Sequence, residues 1–149
     1  MSFNMKAIFY FGWMLLMAGG ALGQSVPEGA VIIGNEIGVK ELSTREVRQY
    51  MRGESSRWKE GSEYSVTVVL PSTKLPECVP TSEFLVNSSR PSALQKFWLS
   101  LVFEGRAKAP VFGQTQDEVL REVMAKPGAI GIVFGMDVPE EYVIAVVPQ

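Results

Sequence analysis

The chain has no histidine and a single cysteine in 149 residues. Without histidine, no side chain has an ordinary proton equilibrium near neutral pH, and the commonest metal ligand is missing. Ser-His-Asp and Cys-His catalysis are excluded outright. With Cys78 alone, no internal disulfide can form. A dominant charge of one sign is also lacking: 14 basic residues stand against 16 acidic ones, a formal net charge of -2. That balance gives no electrostatic reason to expect a nucleic acid partner. Among the carboxylates, Glu36, Glu41, Asp117, Glu140 and Glu141 show no spacing that pairs them for acid–base work. The run "DVPEE" does not have the pattern of a calcium loop. There is no internal repeat and no low-complexity tract. No metal site, cofactor or catalytic residue is indicated.

What is present begins with "MSFNMKAIFYFGWMLLMAGGALGQ". Lys6 supplies a positive start, Ala7 to Met17 is apolar, and Ala21-Leu22-Gly23 has the small-residue form expected before a cleavage site. This reads as a secretory signal peptide over residues 1–23, leaving residues 24–149 as one α/β domain exported to the periplasm or medium. Removing it takes out Lys6 and no acid, so the net charge moves from -2 to -3. The competing reading is a retained anchor, but the run from Ala7 to Gly23 is short for a span of roughly 20 residues and has no basic flank. No other stretch is long and apolar enough to cross a membrane, so no stable span is expected after processing.

In the remaining chain, "AVIIG" (30–34) and "SVTVVL" (65–70) read as strands, the second closed by Pro71. "NEIGVKEL" reads as a loop between the first strand and a helix. Ser43 and Glu46 make a capping-box pattern at the start of that helix, "STREVRQYM", with Leu42 and Val47 at the staple positions. Three prolines at 71, 76 and 80 make "PSTKLPECVP" a loop of restricted shape, with a short helical piece near Ser82 to Val86. In "PSALQKFWLSLVFEG" the residues Leu94, Phe97, Trp98, Leu101 and Val102 fall on one helical face. Thr115 and Glu118 open another helix, with Val119, Leu120, Val123 and Met124 inward. "AIGIVF" follows it as a buried strand, and "YVIAVV" (142–147) reads as a last one. Glycines 128 and 131 predict that something passes close to that buried strand, a crossing helix or a ligand. The sum is a small α/β layer structure with at least three mainly parallel strands.

Several segments then match one pattern in order and rough spacing. "LSTREVRQYMRGESSRWKEG", "FWLSLVFEGRAKAP" and "KPGAIGIV" resemble stretches of phosphate-type periplasmic solute-binding proteins and their small single-lobe relatives. The likeness covers about residues 30 to 135. It implies the type II periplasmic binding protein-like fold, whose full-length members hold a small anion between two α/β lobes with helix-start amides supplying much of the grip. This chain has room for one three-layer lobe, and it looks like the second lobe standing alone. That lobe usually follows its strand with "R-x-D-x-SGT"; here "VVLPSTKLPECVPTSEF" stands, with Leu70 or a neighbour where the arginine is expected.

Four residues are candidates for ligand contact. Ser72 and Thr73 lie at a strand exit, where open α/β sheets bind ligands, although their hydroxyls also suit the satisfaction of turn backbone groups. Arg57 offers a guanidinium to a carboxylate or phosphate, and Trp58 beside it is either a contact or a plug under the loop. Arg106 and Lys108 form a small basic patch whose ordinary role is a solvated face. Cys78 among its prolines is either a buried, inert thiol or a site of intermolecular pairing, and "NSS" (87–89) fits an N-glycosylation acceptor. The expected function is binding rather than catalysis: an exported interaction module that keeps one lobe of the fold. The alternative is a small-anion binder, phosphate-like in its ligand, that acts as a dimer or with an envelope protein.

Overall fold

The capping box expected at Ser43 is fully formed. Glu46 N donates to Ser43 Oγ at 3.1 Å, and Ser43 N donates to Glu46 Oε1 at 2.9 Å. It starts helix α1 (Thr44–Met51) directly from a three-residue strand, β2 (Glu41–Ser43). The computed structural model describes residues 25–59 and 61–149, so the signal peptide read at 1–23 lies outside the described residues. Within them the order continues from β1 (Ala30–Gly34), β2 and α1 to β3 (Thr67–Pro71), α2 (Cys78–Val86) and α3 (Pro91–Phe103). Then come β4 (Val111–Gly113), α4 (Gln116–Ala125), β5 (Ala129–Phe134), a 3-10 turn (Glu140–Tyr142) and β6 (Ala145–Val147).

The main sheet has the order β1-β5-β3-β4. β3 is parallel to both neighbours, with Val69 opposite Val111 on one side and Gly131 on the other. β1 is antiparallel to β5, with Ile32 opposite Ile132. β2 and β6 form a second, parallel pair, Leu42 opposite Val146. The architecture is thus a single mixed α/β lobe with a mainly parallel sheet, as the sequence predicts.

The strands read as continuous apolar runs, yet each separates its side chains with a period of two. Ile32, Val68, Leu70, Ile130 and Ile132 enter one core with Val47, Tyr50 and Met51 of α1, Cys78, Phe84 and Leu85 of α2, and Leu94, Trp98 and Leu101 of α3. Ile33, Val69, Ala129 and Val133 enter the other with Val119, Leu120 and Val123 of α4. Three helices on one face and one on the other make the three layers. Leu94 is fully buried, and truncating such a residue to alanine costs about 2–5 kcal/mol.

The two glycines of the closing strand are explained by close approach. A Cβ on Gly131 would lie 2.9 Å from Val123 Cγ2 and 3.1 Å from the Val69 carbonyl oxygen, so α4 crosses where the strand has no side chain. Gly128 has φ +89°, and a Cβ there would collide with the Ser65 carbonyl oxygen. Both approaches are made by protein, one by a helix and one by a neighbouring chain segment.

Helix ends are tied to their neighbours. Asn35 Nδ2 donates to the Val123 and Met124 carbonyls at 2.9 and 3.1 Å, closing the C-terminus of α4. Arg48 Nε donates to Phe84 O at 2.9 Å and Arg52 Nη1 to Leu85 O at 2.6 Å, so two α1 cations serve the carbonyl end of α2.

Several boundaries differ from expectation. Glu41 and Leu42 belong to a strand rather than a loop, because β6, about a hundred residues away in sequence, pairs with them. Pro71 ends inside β3 rather than closing it from outside. α2 is nine residues long and starts at Cys78; Pro80 sits in its first turn, where a missing N–H costs nothing. Tyr142 lies in the 3-10 turn, and β6 keeps only Ala145–Val147. Val102 and Met124 are more than a third exposed, so the buried stripes of α3 and α4 are narrower than a full periodic face.

Candidate functional site

The strand-exit residues are positioned by the end of the parallel sheet. Ser72 is buried, and its N–H donates to Gly113 O at 2.8 Å, continuing the β3–β4 pairing one step past the strand. Its Oγ accepts from Lys74 N at 3.2 Å, and its carbonyl accepts from Leu75 N at 2.9 Å. Ser72 is therefore engaged in organising its own turn. Thr73 stands beside it, half-buried.

The helix that follows spends its early amides in the same way. Cys78 N donates to Leu75 O at 3.0 Å, Val79 N to Pro76 O at 3.1 Å and Thr81 N to Glu77 O at 3.4 Å. Residue 80 is proline and has no N–H. An anion grip through helix-start amides needs those donors pointing outward. The next helix start on this edge is that of α4, where Asp117 and Glu118 fill the first turn. Their carboxylates complement the helix dipole and repel an incoming anion. Glu118 N donates to Thr115 Oγ1 at 3.0 Å, while Gln114 N donates to the Glu118 carboxylate. Phe134 N donates to Gln116 Oε1 at 2.7 Å, which leaves Gln116 Nε2 buried without an acceptor.

Trp58 is a plug with its polar group in use. It is 6% exposed, its Nε1 donates to Gly128 O at 3.0 Å, and its ring lies 4.2 Å from that of Tyr50, tilted by 39°. Aromatic pairs of this kind contribute beyond their burial. Arg57 points elsewhere. It is exposed, sits in an isolated antiparallel bridge with Ser65, and lines a cavity of about 440 Å³. That cavity also takes in Thr67 and Val68 at the start of β3, Val111 at the start of β4, and Lys126 just before β5. It lies at the N-terminal ends of the parallel strands, whereas Ser72 and Thr73 lie at their C-terminal ends. The structure thus separates the four candidate residues: Ser72 and Thr73 at one edge of the sheet, Arg57 at the other, and Trp58 in the core.

Arg106 and Lys108 join Arg57 on the cavity wall, so the small basic patch of the sequence belongs to a concave surface. Lys126 was not singled out by sequence reasoning; the only available signal was its place at the end of α4. Cys78 is fully buried, and burial pushes its thiol up to about 11. It is an inert thiol at neutral pH. Among the described residues no cluster of His, Cys, Asp and Glu could hold a metal ion, and no helix is long and apolar enough to cross a membrane.

No family model matches this chain, and no curated protein matches it. Its fold is similar, with a TM-score of 0.51 and 18% identity, to a crystal structure from Clostridium perfringens. That structure is described as a candidate phosphate ABC transporter substrate-binding protein with bound phosphate. The match covers 79% of this chain and 44% of that one, so this chain spans less than half the length of its structural relative. At this identity the likeness is one of fold alone: a mixed α/β lobe with a mainly parallel sheet.

Proposed function

We propose that this chain is an exported, non-catalytic binding module: one lobe of a clamp that engages a second protein surface across the C-terminal edge of its sheet. The observation that carries this reading is the internal use of the donors after β3. Ser72 N, Lys74 N, Leu75 N, Cys78 N and Val79 N all end on groups of their own turn or of the neighbouring strand. An edge with five of the seven amides from Ser72 to Val79 spent, Thr73 and Glu77 excepted, and with Asp117 and Glu118 at the other helix start, suits a protein surface better than a bare anion. Residues 24–149 form the module, and Thr73 is its contact residue at that edge. The fold likeness to a substrate-binding protein supports a binding role for this lobe.

The test is a photoreactive residue in place of Thr73, with the same residue in place of Lys126 as a control on the opposite edge. Cross-linking in the cell envelope at 73 and not at 126, to a second copy or to one discrete protein, is expected. Sedimentation of the purified protein tells these two partners apart. No cross-link at 73, or equal cross-linking at both positions, overturns the proposal.

A second reading, small-anion binding through a dimer, is favoured by one observation: the buried Gln116 Nε2 at this edge has no acceptor. A bound oxyanion would supply one. In that case inorganic phosphate raises the melting midpoint by linkage, and Gln116→Ala with Thr73→Val removes the rise while Arg57→Gln does not.

A further inference from the structure

The cavity at the N-terminal ends of β3 and β4 has a one-sided charge. Arg57, Arg106, Lys108 and Lys126 line it, and among the described residues no aspartate or glutamate does. The whole chain has 14 basic and 16 acidic side chains, so four cations without one acid is not an average sample of this surface. Glu104 reaches Arg106 Nη1 at 3.2 Å from outside the wall. Both side chains are more than half exposed, so that pair neutralises little. The cations come from three separate segments: the bridge at Arg57, the connection from α3 to β4, and the turn after α4. Tertiary folding has brought like charges together in a concavity, which costs repulsion unless an anion offsets it.

The rest of the wall is mixed: Ser55, Ser56, Ser65 and Thr67 contribute hydroxyls, and an apolar part is made by valine, alanine and Trp98 side chains. Val68 is 5% exposed and Trp98 3%, with Val111 and Ala107 beside them. Trp98 also has a buried indole nitrogen with no hydrogen-bond partner. At about 440 Å³ the cavity is within the range of small-molecule sites, roughly 300–1,000 Å³. Inorganic phosphate would satisfy the cations and leave the apolar part of the wall wet. A neutral organic molecule would cover that part and leave the cations unpaired.

We infer that this cavity binds a small organic anion with two or more negative charges on an apolar body. The site is at the opposite edge of the sheet from Thr73 and does not depend on the partner proposed there. The competing explanation is local. Lys126 is the C-cap of α4, and Arg106 lies two residues beyond the C-cap of α3, where cations complement the helix dipole whether or not anything binds.

Phthalate, an aromatic dicarboxylate, is the probe, with phthalamide as its neutral counterpart and inorganic phosphate as the ion without an apolar body. Calorimetric titration of the purified protein should show saturable phthalate binding with a change in tryptophan emission. No binding of phthalamide is expected, and phosphate should bind at least about tenfold more weakly. Raising the salt from about 50 to about 300 mM should weaken the phthalate interaction. Arg57→Gln with Lys126→Gln should lower phthalate affinity by about tenfold or more while the circular dichroism spectrum stays that of the parent. Lys108→Gln, which touches neither helix end, should lower it in the same direction. Absence of phthalate binding, phosphate binding as tight as phthalate, or unchanged affinity in the folded variants overturns the inference; the first of these leaves Arg106 and Lys126 as helix-end partners only.

Discussion

Val123 of α4 sits directly over Gly131 of β5, with its Cγ2 2.9 Å from the point where a Cβ would stand. This contact sets how closely the single helix on that face approaches the sheet. Gly131→Ala should destabilise the protein by about 1–3 kcal/mol, read as a lower denaturant midpoint at unchanged slope. Val123→Ala in the same chain should recover part of that loss, because the methyl then has room. Additive losses in the double variant would show that the strain lies against the Val69 carbonyl oxygen instead.

Trp58 joins the loop after α1 to the turn before β5 through Nε1 to Gly128 O. Trp58→Phe should cost about 1–3 kcal/mol from the lost hydrogen bond and the smaller ring. The cost is limited because Gly128 O also accepts from Thr67 N at 3.2 Å. Phosphate titration should be unaffected, since the indole nitrogen already has its partner. An altered phosphate response in the folded variant would make Trp58 a ligand contact.

Cys78 gives the alkaline limb of stability a definite sign. Its folded pKa is raised from 9.0 to about 11 by burial. A group raised in the folded state contributes stability in full below its unfolded value and loses it as the pH rises towards the folded one. Between about pH 9 and 11 the wild type should therefore lose up to roughly 2 kcal/mol more than Cys78→Ala does. Parallel alkaline limbs for the two proteins would contradict this. Thiol reagents should label Cys78 at the rate of unfolding, not faster.

The capping box acts at the other end of the pH scale. Glu46 is held below its ordinary 4.5, chiefly by the hydrogen bond from the Ser43 backbone. A depressed carboxylate contributes stability above its unfolded pKa and loses it as the pH falls through the folded one. Ser43→Ala should cost about 1 kcal/mol at neutral pH. Glu46→Gln should flatten the stability profile below about pH 5 relative to the parent. An unchanged acid limb in Glu46→Gln would remove the carboxylate from the account.

Much of the fold was legible because its signals are local. The two N-caps at Ser43 and Thr115 announce their helices within four residues. The buried strands β1, β3 and β5 show as apolar runs, and Pro91 marks the start of α3. Short pairings were not legible. β2 has three residues, and its partner β6 lies about a hundred positions away, so nothing near Leu42 distinguishes it from loop. Nor did helical periodicity reveal that Val102 and Met124 stay more than a third exposed, since that depends on where the neighbouring layer ends.

By itself the sequence determined the chemistry that is excluded, the positions of the main helices and buried strands, and the need for close approach at Gly128 and Gly131. These follow from side-chain inventory and from periodicities set by neighbours in the chain. Only the tertiary structure decided that Ser72 turns its polar atoms inward, that Trp58 is a plug, and that Arg57, Arg106, Lys108 and Lys126 share one concave wall. The physical reason is that a site is a relation among segments. Sheet order and the direction of each strand place those segments at one edge or the other, and neither is written in any single stretch of residues.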